Sequence, residues 1–252
     1  PNTIVVAPSN MFSVDPQALE QQLREQSQHV ATHLFEAPAH YKTGYLMTQG
    51  STHPLRIDVD LHDKESVHYF VKDFDFERLV GIELYRLVGE VPSHDYRFAF
   101  NRGIIVEQGI EGRHIEPAQA NTTLQHERIK ADVVSIFLGI EDLAKRVSGQ
   151  DHNYIVSPDD KVVIIDHDTT YPLTPEDIDG IKQGTAQDLG ISFNAYERIF
   201  KQEQYWLRER VVGCEESLRQ LSTILQSSPV HDLERMGQYI QQQTRGVIDG
   251  SL

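Results

Sequence analysis

The chain has 252 residues, enough for one large domain or two small lobes. Its formal net charge is −15, with the acidic excess spread along the chain, which argues against a nucleic-acid-binding or anionic-membrane surface. No stretch approaches the roughly 18 apolar residues of a membrane span, and the single Cys214 excludes an internal disulfide framework. We therefore expect a protein of a reducing, cytoplasmic compartment.

The first half of the chain is predicted to be rich in strands. An N-terminal extension, 1–41, contains a polar helix that Asp15-Pro16 opens and that runs to about Leu34. Alternating apolar residues then predict antiparallel strands in three segments: 42–74, 96–100 and 103–106. Between the first two, a helix is expected from about Phe76 to Val88, because Gly89 follows its last apolar residue.

From about Thr122 the chain is predicted to be mainly helical, with one embedded hairpin. Amphipathic patterns predict three C-terminal helices, at about 196–211, 215–226 and 230–244. The aromatic spacing around Tyr205 and Trp206 favours positions in the core. The expected class is α+β with two lobes, a β-rich lobe at 42–108 and a helical lobe at 109–252, with the seam near Glu107–Gly112.

The embedded hairpin is the strongest functional signal in the sequence. Tyr154–Val156 and Val162–Ile165 are short apolar strands, and Ser157–Asp160 has the composition of a tight turn. Because the two outer ends of a hairpin meet, four oxygen-bearing side chains are expected to converge: Asp151, Asn153, Asp166 and Asp168. Oxygen ligands in this number suit Mg²⁺ held together with phosphate groups.

Two other interpretations of the hairpin remain open. The polar end could be a solvated turn, although Asp166 follows four apolar residues and burying it there is costly without a partner. Alternatively, His152 and His167 could join the aspartates in a two-metal hydrolase site.

A second set of charged residues lies earlier in the chain. Lys72 ends an apolar strand, and the helix that follows carries Glu77 and Glu83. Glu83 falls within the apolar face of that helix and Glu77 lies near its edge, so either could be a boundary residue with its carboxylate in solvent. The functional interpretation is that one of them pairs with Lys72 and fixes its ammonium group to neutralise nucleotide phosphates.

These residues, in this order, resemble the atypical protein-kinase-like superfamily, especially its HipA-type, phosphoinositide-kinase-like and selenoprotein-O-like branches and small bacterial effector kinases. Val71-Lys72 is similar to the lysine of the third strand, and the helix from Glu77 to Gly89 is similar to the helix after it. Ile104–Gly112 resembles the fifth strand and the hinge. Asn153 and Asp166 resemble the catalytic-loop Asn and the metal-binding Asp. The resemblance covers roughly residues 42–171.

The resemblance implies a role for each of these residues. Mg²⁺ would be held by Asn153 and Asp166, with Asp168 available for a second ion, and Lys72 would hold the ATP phosphates. The hinge backbone would meet the adenine at Val106, Glu107 and Gln108. Since no glycine-rich loop is present, the Gly50-Ser51-Thr52 turn would supply N–H groups to phosphate.

The sequence departs from the family pattern at the catalytic aspartate. Ser148 occupies the position five residues before Asn153 where that Asp is usual. Asp151 is the nearest substitute, and Asp142 is the alternative if an insertion precedes Asn153. Asp166-His-Asp also replaces Asp-Phe-Gly, so no Phe is available there as an on/off element.

The expected activity is ATP- and Mg²⁺-dependent transfer of a phosphoryl group to a protein hydroxyl, in the cytoplasm or in a host cytosol if the chain is an effector. Two alternatives on the same fold stay open. One is AMP transfer, as in selenoprotein O, and the other is a pseudokinase that binds nucleotide or a partner without catalysis.

Overall fold

A computed structural model describes residues 41–46, 55–59, 67–73, 76–89, 96–99, 104–110, 112–113, 121–140, 153–165 and 172–250, with the backbone alone described in the strands up to 108. The chain divides into two compact units. Among the described elements, the first unit contains the strands up to residue 108, and the second contains the helices and the hairpin. The α+β class is confirmed. The predicted helix in the N-terminal extension lies outside the described residues.

The first unit contains one antiparallel sheet of five strands in the order β1-β2-β3-β5-β4. The strands are β1 (Tyr41–Leu46), β2 (Leu55–Val59), β3 (Val67–Asp73), β4 (Tyr96–Ala99) and β5 (Ile104–Gln108). In the register between β3 and β5, Lys72 of β3 lies opposite Ile105 of β5, and Val71 lies opposite Val106. The sheet therefore places the predicted phosphate lysine and the predicted hinge strand side by side.

Helix α1 (Phe76–Val88) has the bounds that its apolar pattern predicts. It ends before Gly89, where a Cβ atom would lie 2.7 Å from the backbone oxygen of Tyr85, so glycine suits this position. The prediction includes this helix in the β-rich lobe, whereas Glu77–Val91 groups with the second unit. Most residues of α1 are buried, and the Arg210 guanidinium of the second unit donates partly buried hydrogen bonds to the carbonyl oxygens of Val88 and Gly89.

The second unit contains five further described helices and a two-stranded ribbon. The ribbon consists of β6 (Tyr154–Val156) and β7 (Val162–Ile164). The helices are α2 (Thr122–Leu138), α3 (Pro175–Asp188), α4 (Phe193–Gly213), α5 (Glu215–Gln226) and α6 (His231–Asp249). No helix in the described ranges is long and apolar enough to cross a membrane.

Polar caps fix where three of these helices begin. The side chains of Asn121, Thr174 and Ser192 accept hydrogen bonds from backbone N–H groups in the first turns of α2, α3 and α4. These residues are good N-caps because a short oxygen-bearing side chain satisfies an N–H that the helix leaves without a partner. The caps explain why α4 begins three residues before the predicted start at Tyr196.

Helices α5 and α6 pack closely against each other at Gly237. A Cβ atom on Gly237 would lie 2.7 Å from the backbone oxygen of Ser222 and 2.8 Å from the backbone nitrogen of Gln226. The Ser222 hydroxyl donates a 2.8 Å hydrogen bond to the Gly237 carbonyl. The close approach of the two backbones therefore depends on the absence of a side chain at this position.

Candidate functional site

The open end of the ribbon is the candidate site, and its first observed feature is a backbone hydrogen bond. The N–H of Ile165 donates to the carbonyl of Asn153 at 3.0 Å, one step beyond the Tyr154–Ile164 pair. The predicted strand-turn-strand is confirmed. Asp166 follows Ile165 directly in the sequence, so the predicted metal-binding carboxylate succeeds the residue paired with Asn153.

The turn of the ribbon shows why the sequence folds back here. The N–H of Ser157 donates to the Lys161 carbonyl at 2.9 Å, and the N–H of Asp160 donates to the Ser157 carbonyl at 3.0 Å. Asp160 has a φ of 58°, in the left-handed region that Asp tolerates better than most residues. The hydrogen bond from the Ser157 hydroxyl lowers the pKa of Asp159. Both aspartates of the turn are exposed, at the end of the ribbon opposite Asn153.

Tyr154, the residue after Asn153, attaches the ribbon to helix α2. Its ring is fully buried, and its hydroxyl donates to Asp132 Oδ1 at 3.2 Å. The Arg128 guanidinium carbon lies 3.8 Å from the centre of the same ring, a cation–π contact. Ser135 Oγ lies 3.2 Å from the Tyr154 hydroxyl. These contacts fix the strand that begins directly after Asn153.

Asp132 is a buried carboxylate at the centre of this attachment. It accepts hydrogen bonds from Arg128, from Tyr154 and, at 2.8 Å, from the hydroxyl of Tyr196 in α4. Burial, followed by the nearby Asp132 charge, raises the pKa of Tyr196 well above its usual value. A buried carboxylate is tolerated only with a counter-charge and donors for its oxygens. We therefore assign this cluster a structural role beneath the candidate site.

A second attachment joins α1 to the other strand. The N–H of Ile164 points away from β6 and donates to the Tyr85 hydroxyl at 3.1 Å. Burial raises the pKa of Tyr85, so the phenol stays protonated. On the opposite side of the ribbon, Val156 and Arg113 exchange two backbone hydrogen bonds, of 2.8 and 2.9 Å. Each strand of the ribbon thus has an internal partner on its outer side.

The two glutamates of α1 differ in their surroundings. Glu83 is 19% exposed and forms a 3.6 Å ion pair with Arg86. Its buried Oε2 accepts no hydrogen bond from any described residue. Burial raises the pKa of Glu83, although the Arg86 charge opposes the shift. Glu77 is half-buried in the first turn of α1. The pairing of either glutamate with Lys72 stays a prediction, because the Lys72 side chain is outside the described atoms.

The remaining predicted site residues divide into two groups. Val106, Glu107 and Gln108 lie in β5, where Glu107 pairs with both Phe70 and Tyr96. The other residues lie outside the described part of the chain: Gly50, Ser51, Thr52, Asp142, Asp151, His152, Asp166, His167 and Asp168. Among the residues that the structure does describe, no group of three or more His, Cys, Asp or Glu side chains could hold a metal ion.

Sequence reasoning missed the cluster beneath the hairpin. Arg128 and Asp132 lie four residues apart and interrupt an apolar stretch that includes Ile129, Val133 and Val134. Charged residues four apart on the buried face of a helix are a signal for a buried ion pair. Tyr154 and Tyr196 could not be predicted in the same way, because they lie 22 and 64 residues after Asp132 in the sequence.

No model of a protein family matches the chain, and no curated protein matches it.

Proposed function

We propose that the chain is an ATP- and Mg²⁺-dependent phosphotransferase of the atypical protein-kinase-like type, acting on a protein hydroxyl. The hydrogen bond from Ile165 to Asn153 carries this proposal. It pairs the backbone of Asn153 with Ile165, and Asp166 is the next residue in the sequence, so the chain order is compatible with an amide and a carboxylate that serve one Mg²⁺. The Asn153 side chain is half-buried.

The five-stranded sheet supports the proposal independently. Lys72 lies on the third strand, followed by a helix, as in kinases, where a third-strand lysine binds the nucleotide phosphates. The next strand in the sheet is β5, which carries the proposed adenine-binding backbone of Val106, Glu107 and Gln108.

In the proposed reaction, each residue mainly positions a group or neutralises charge. Lys72 would hold the α- and β-phosphates, and Asn153 and Asp166 would hold Mg²⁺, with Asp168 as a further ligand. Mg²⁺ would neutralise charge on the phosphate oxygens. Asp151, or Asp142 in its place, would orient the acceptor hydroxyl and take its proton.

The test compares two isosteric substitutions at opposite ends of the same hairpin. We expect Asp166→Asn to lower label transfer from γ-labelled ATP by at least about a hundredfold, because a metal ligand loses its charge. Asp159→Asn makes the same charge change at the exposed turn and should leave transfer near the wild-type rate. Equal activity of the two variants would remove Asp166 from the mechanism.

A parallel incubation with α-labelled ATP distinguishes the alternatives. Incorporation of the α-label would indicate AMP transfer in place of phosphorylation. Nucleotide binding without incorporation of either label would indicate a pseudokinase, an outcome that Ser148, at the position where the catalytic Asp is usual, specifically favours. Either result would overturn the phosphotransferase proposal.

A further inference from the structure

A cavity of about 270 Å³ lies among α2, α4 and α6, and none of the candidate-site residues lines it. We call it the helical pocket. Its apolar lining comes from all three helices and comprises Val133, Ile136, Phe137, Phe200, Leu207 and Val247. Hydrogen bonds from the Tyr239 hydroxyl to the carbonyl oxygens of Ile136 and Phe137 join α6 to α2 beside the pocket. The pocket is therefore part of the packed helical unit.

The rim of the helical pocket is cationic. Lys201 and Arg208 lie seven residues apart on α4, so they share one face of that helix. Both are exposed, and neither forms an ion pair with another residue of the described ranges. The whole chain carries a net charge of −15. Two cations beside an apolar cavity would attract an acidic group here, although the chain as a whole carries net negative charge.

Two further residues complete the chemistry of the rim. Tyr205 is 70% exposed, so its predicted place in the core is wrong, and its ring borders the cavity. An exposed aromatic ring beside a cavity is typical of recognition surfaces. Gln243 also lines the cavity, and its buried Oε1 accepts no hydrogen bond from any described residue. A ligand that donates a hydrogen bond would satisfy this oxygen.

The pocket is small, with a volume of about 270 Å³, near the lower end of the roughly 300–1,000 Å³ of ligand pockets. Such a cavity suits an apolar anchor side chain from a larger partner. A peptide could also donate a backbone N–H to Gln243 Oε1, and its acidic side chains could contact Lys201 and Arg208.

We propose that the helical pocket docks an acidic peptide segment of a partner protein, with an apolar side chain as its anchor. The apolar side chain enters the cavity, flanking carboxylates contact Lys201 and Arg208, and a backbone N–H donates to Gln243. This docking role does not depend on the proposed phosphotransferase activity, because none of its residues belongs to the candidate site.

The first test uses fluorescence anisotropy of a labelled, capped peptide in which a Leu-Phe pair is flanked by two Glu on each side. We expect the full chain to bind it, and the double variant Lys201→Glu, Arg208→Glu to bind roughly tenfold or more weakly. The double variant Arg198→Glu, Arg235→Glu makes the same charge change at exposed positions that do not line the pocket, and should bind like wild type. Equal weakening in both variants would overturn the proposal.

Two altered peptides test each half of the recognition. Replacing Glu by Lys should abolish binding, and so should replacing the Leu-Phe pair by Ser-Ser. If all three peptides bind equally, or if none binds, the docking role is wrong.

Gln243→Leu provides a readout that a purely structural residue would not give. In the free protein, this change removes a buried oxygen without a partner, so thermal stability should stay the same or rise. Peptide affinity should nevertheless fall, by roughly threefold to tenfold. A fall in stability with unchanged affinity would show that Gln243 takes no part in docking.

Discussion

At the scale of single residues, Asp132 joins three elements of the second unit. Its carboxylate is fully buried and accepts hydrogen bonds from an arginine and two tyrosines on three different elements. Removing one member of a buried ion pair leaves the other charge without compensation, which costs more than the pair itself contributes.

We expect Asp132→Ala to lower the free energy of unfolding by about 3–5 kcal/mol, because the Arg128 charge stays buried. The milder Tyr196→Phe removes one hydrogen bond to the carboxylate and should cost about 1.5–3 kcal/mol. Urea unfolding with an unchanged m-value would measure both. As a control, Glu216→Ala breaks an exposed ion pair with Arg219 and should have little effect. Comparable losses for Asp132→Ala and Glu216→Ala would contradict this account.

Glu83 predicts a dependence of stability on pH. Burial raises its folded-state pKa above the ordinary 4.5, so the folded chain holds this proton more tightly than the unfolded chain. The contribution of protonated Glu83 to the free energy of unfolding is fully present below pH 4.5 and is lost as the pH rises through the folded-state pKa.

The variant Glu83→Gln resembles the protonated form at every pH. It should therefore be more stable than wild type at pH 7, and this difference should vanish below pH 4.5. Thermal unfolding of both proteins across this range would measure it. Glu216→Gln is the control of opposite sign, because the hydrogen bond from Arg219 lowers the pKa of Glu216. A gain from Glu83→Gln that persists unchanged in acid would rule out the carboxylate as its cause.

At the scale of secondary-structure elements, the packing of α5 on α6 depends on one glycine. Alanine in a helix interior is ordinarily favoured over glycine by about 1 kcal/mol. At Gly237 the added methyl group would meet backbone atoms of Ser222 and Gln226 closer than 3 Å, and backbone cannot move aside as a side chain can. Overpacking of this kind costs about 1–3 kcal/mol, so the clash outweighs the gain in helix propensity.

We expect Gly237→Ala to destabilise the protein and Gly213→Ala to leave its stability unchanged or slightly higher. Gly213 ends α4, and a Cβ atom there meets no other atom within 4 Å. Thermal unfolding of the two variants would show opposite shifts or a shift in Gly237→Ala alone. If both alanines raised the melting temperature, α5 and α6 could separate without cost at their closest point.

The elements that the sequence predicts well are those specified by local chemistry. The bounds of α1 and α5 match the prediction because apolar periodicity and end signals such as Gly89 act within one element. The described ribbon matches the predicted hairpin because Ser157–Asp160 specifies its turn. The cluster around Asp132 was missed because its tyrosines come from distant segments. Tyr205 was misplaced because helical spacing alone does not show which face a neighbouring helix covers.

At the scale of the whole molecule, the residues named in the proposed function are distributed over both compact units. Lys72 and the hinge strand belong to the first, and Asn153 belongs to the second. The order of these residues along the chain could be read from the sequence. Strand register could not be read from the sequence, because it depends on long-range contacts between strands. Examples are Lys72 opposite Ile105 and Asn153 opposite Ile165.

The hydrogen bonds on the outer sides of the ribbon limit how it could engage a substrate. On one side, the N–H of Ile164 donates to the Tyr85 hydroxyl. On the other side, Val156 and Arg113 exchange backbone hydrogen bonds. An extended polypeptide could align with either strand as an added β-strand only by displacing these partners. Under the proposed function, an acceptor protein would therefore add no strand to the ribbon while these hydrogen bonds persist.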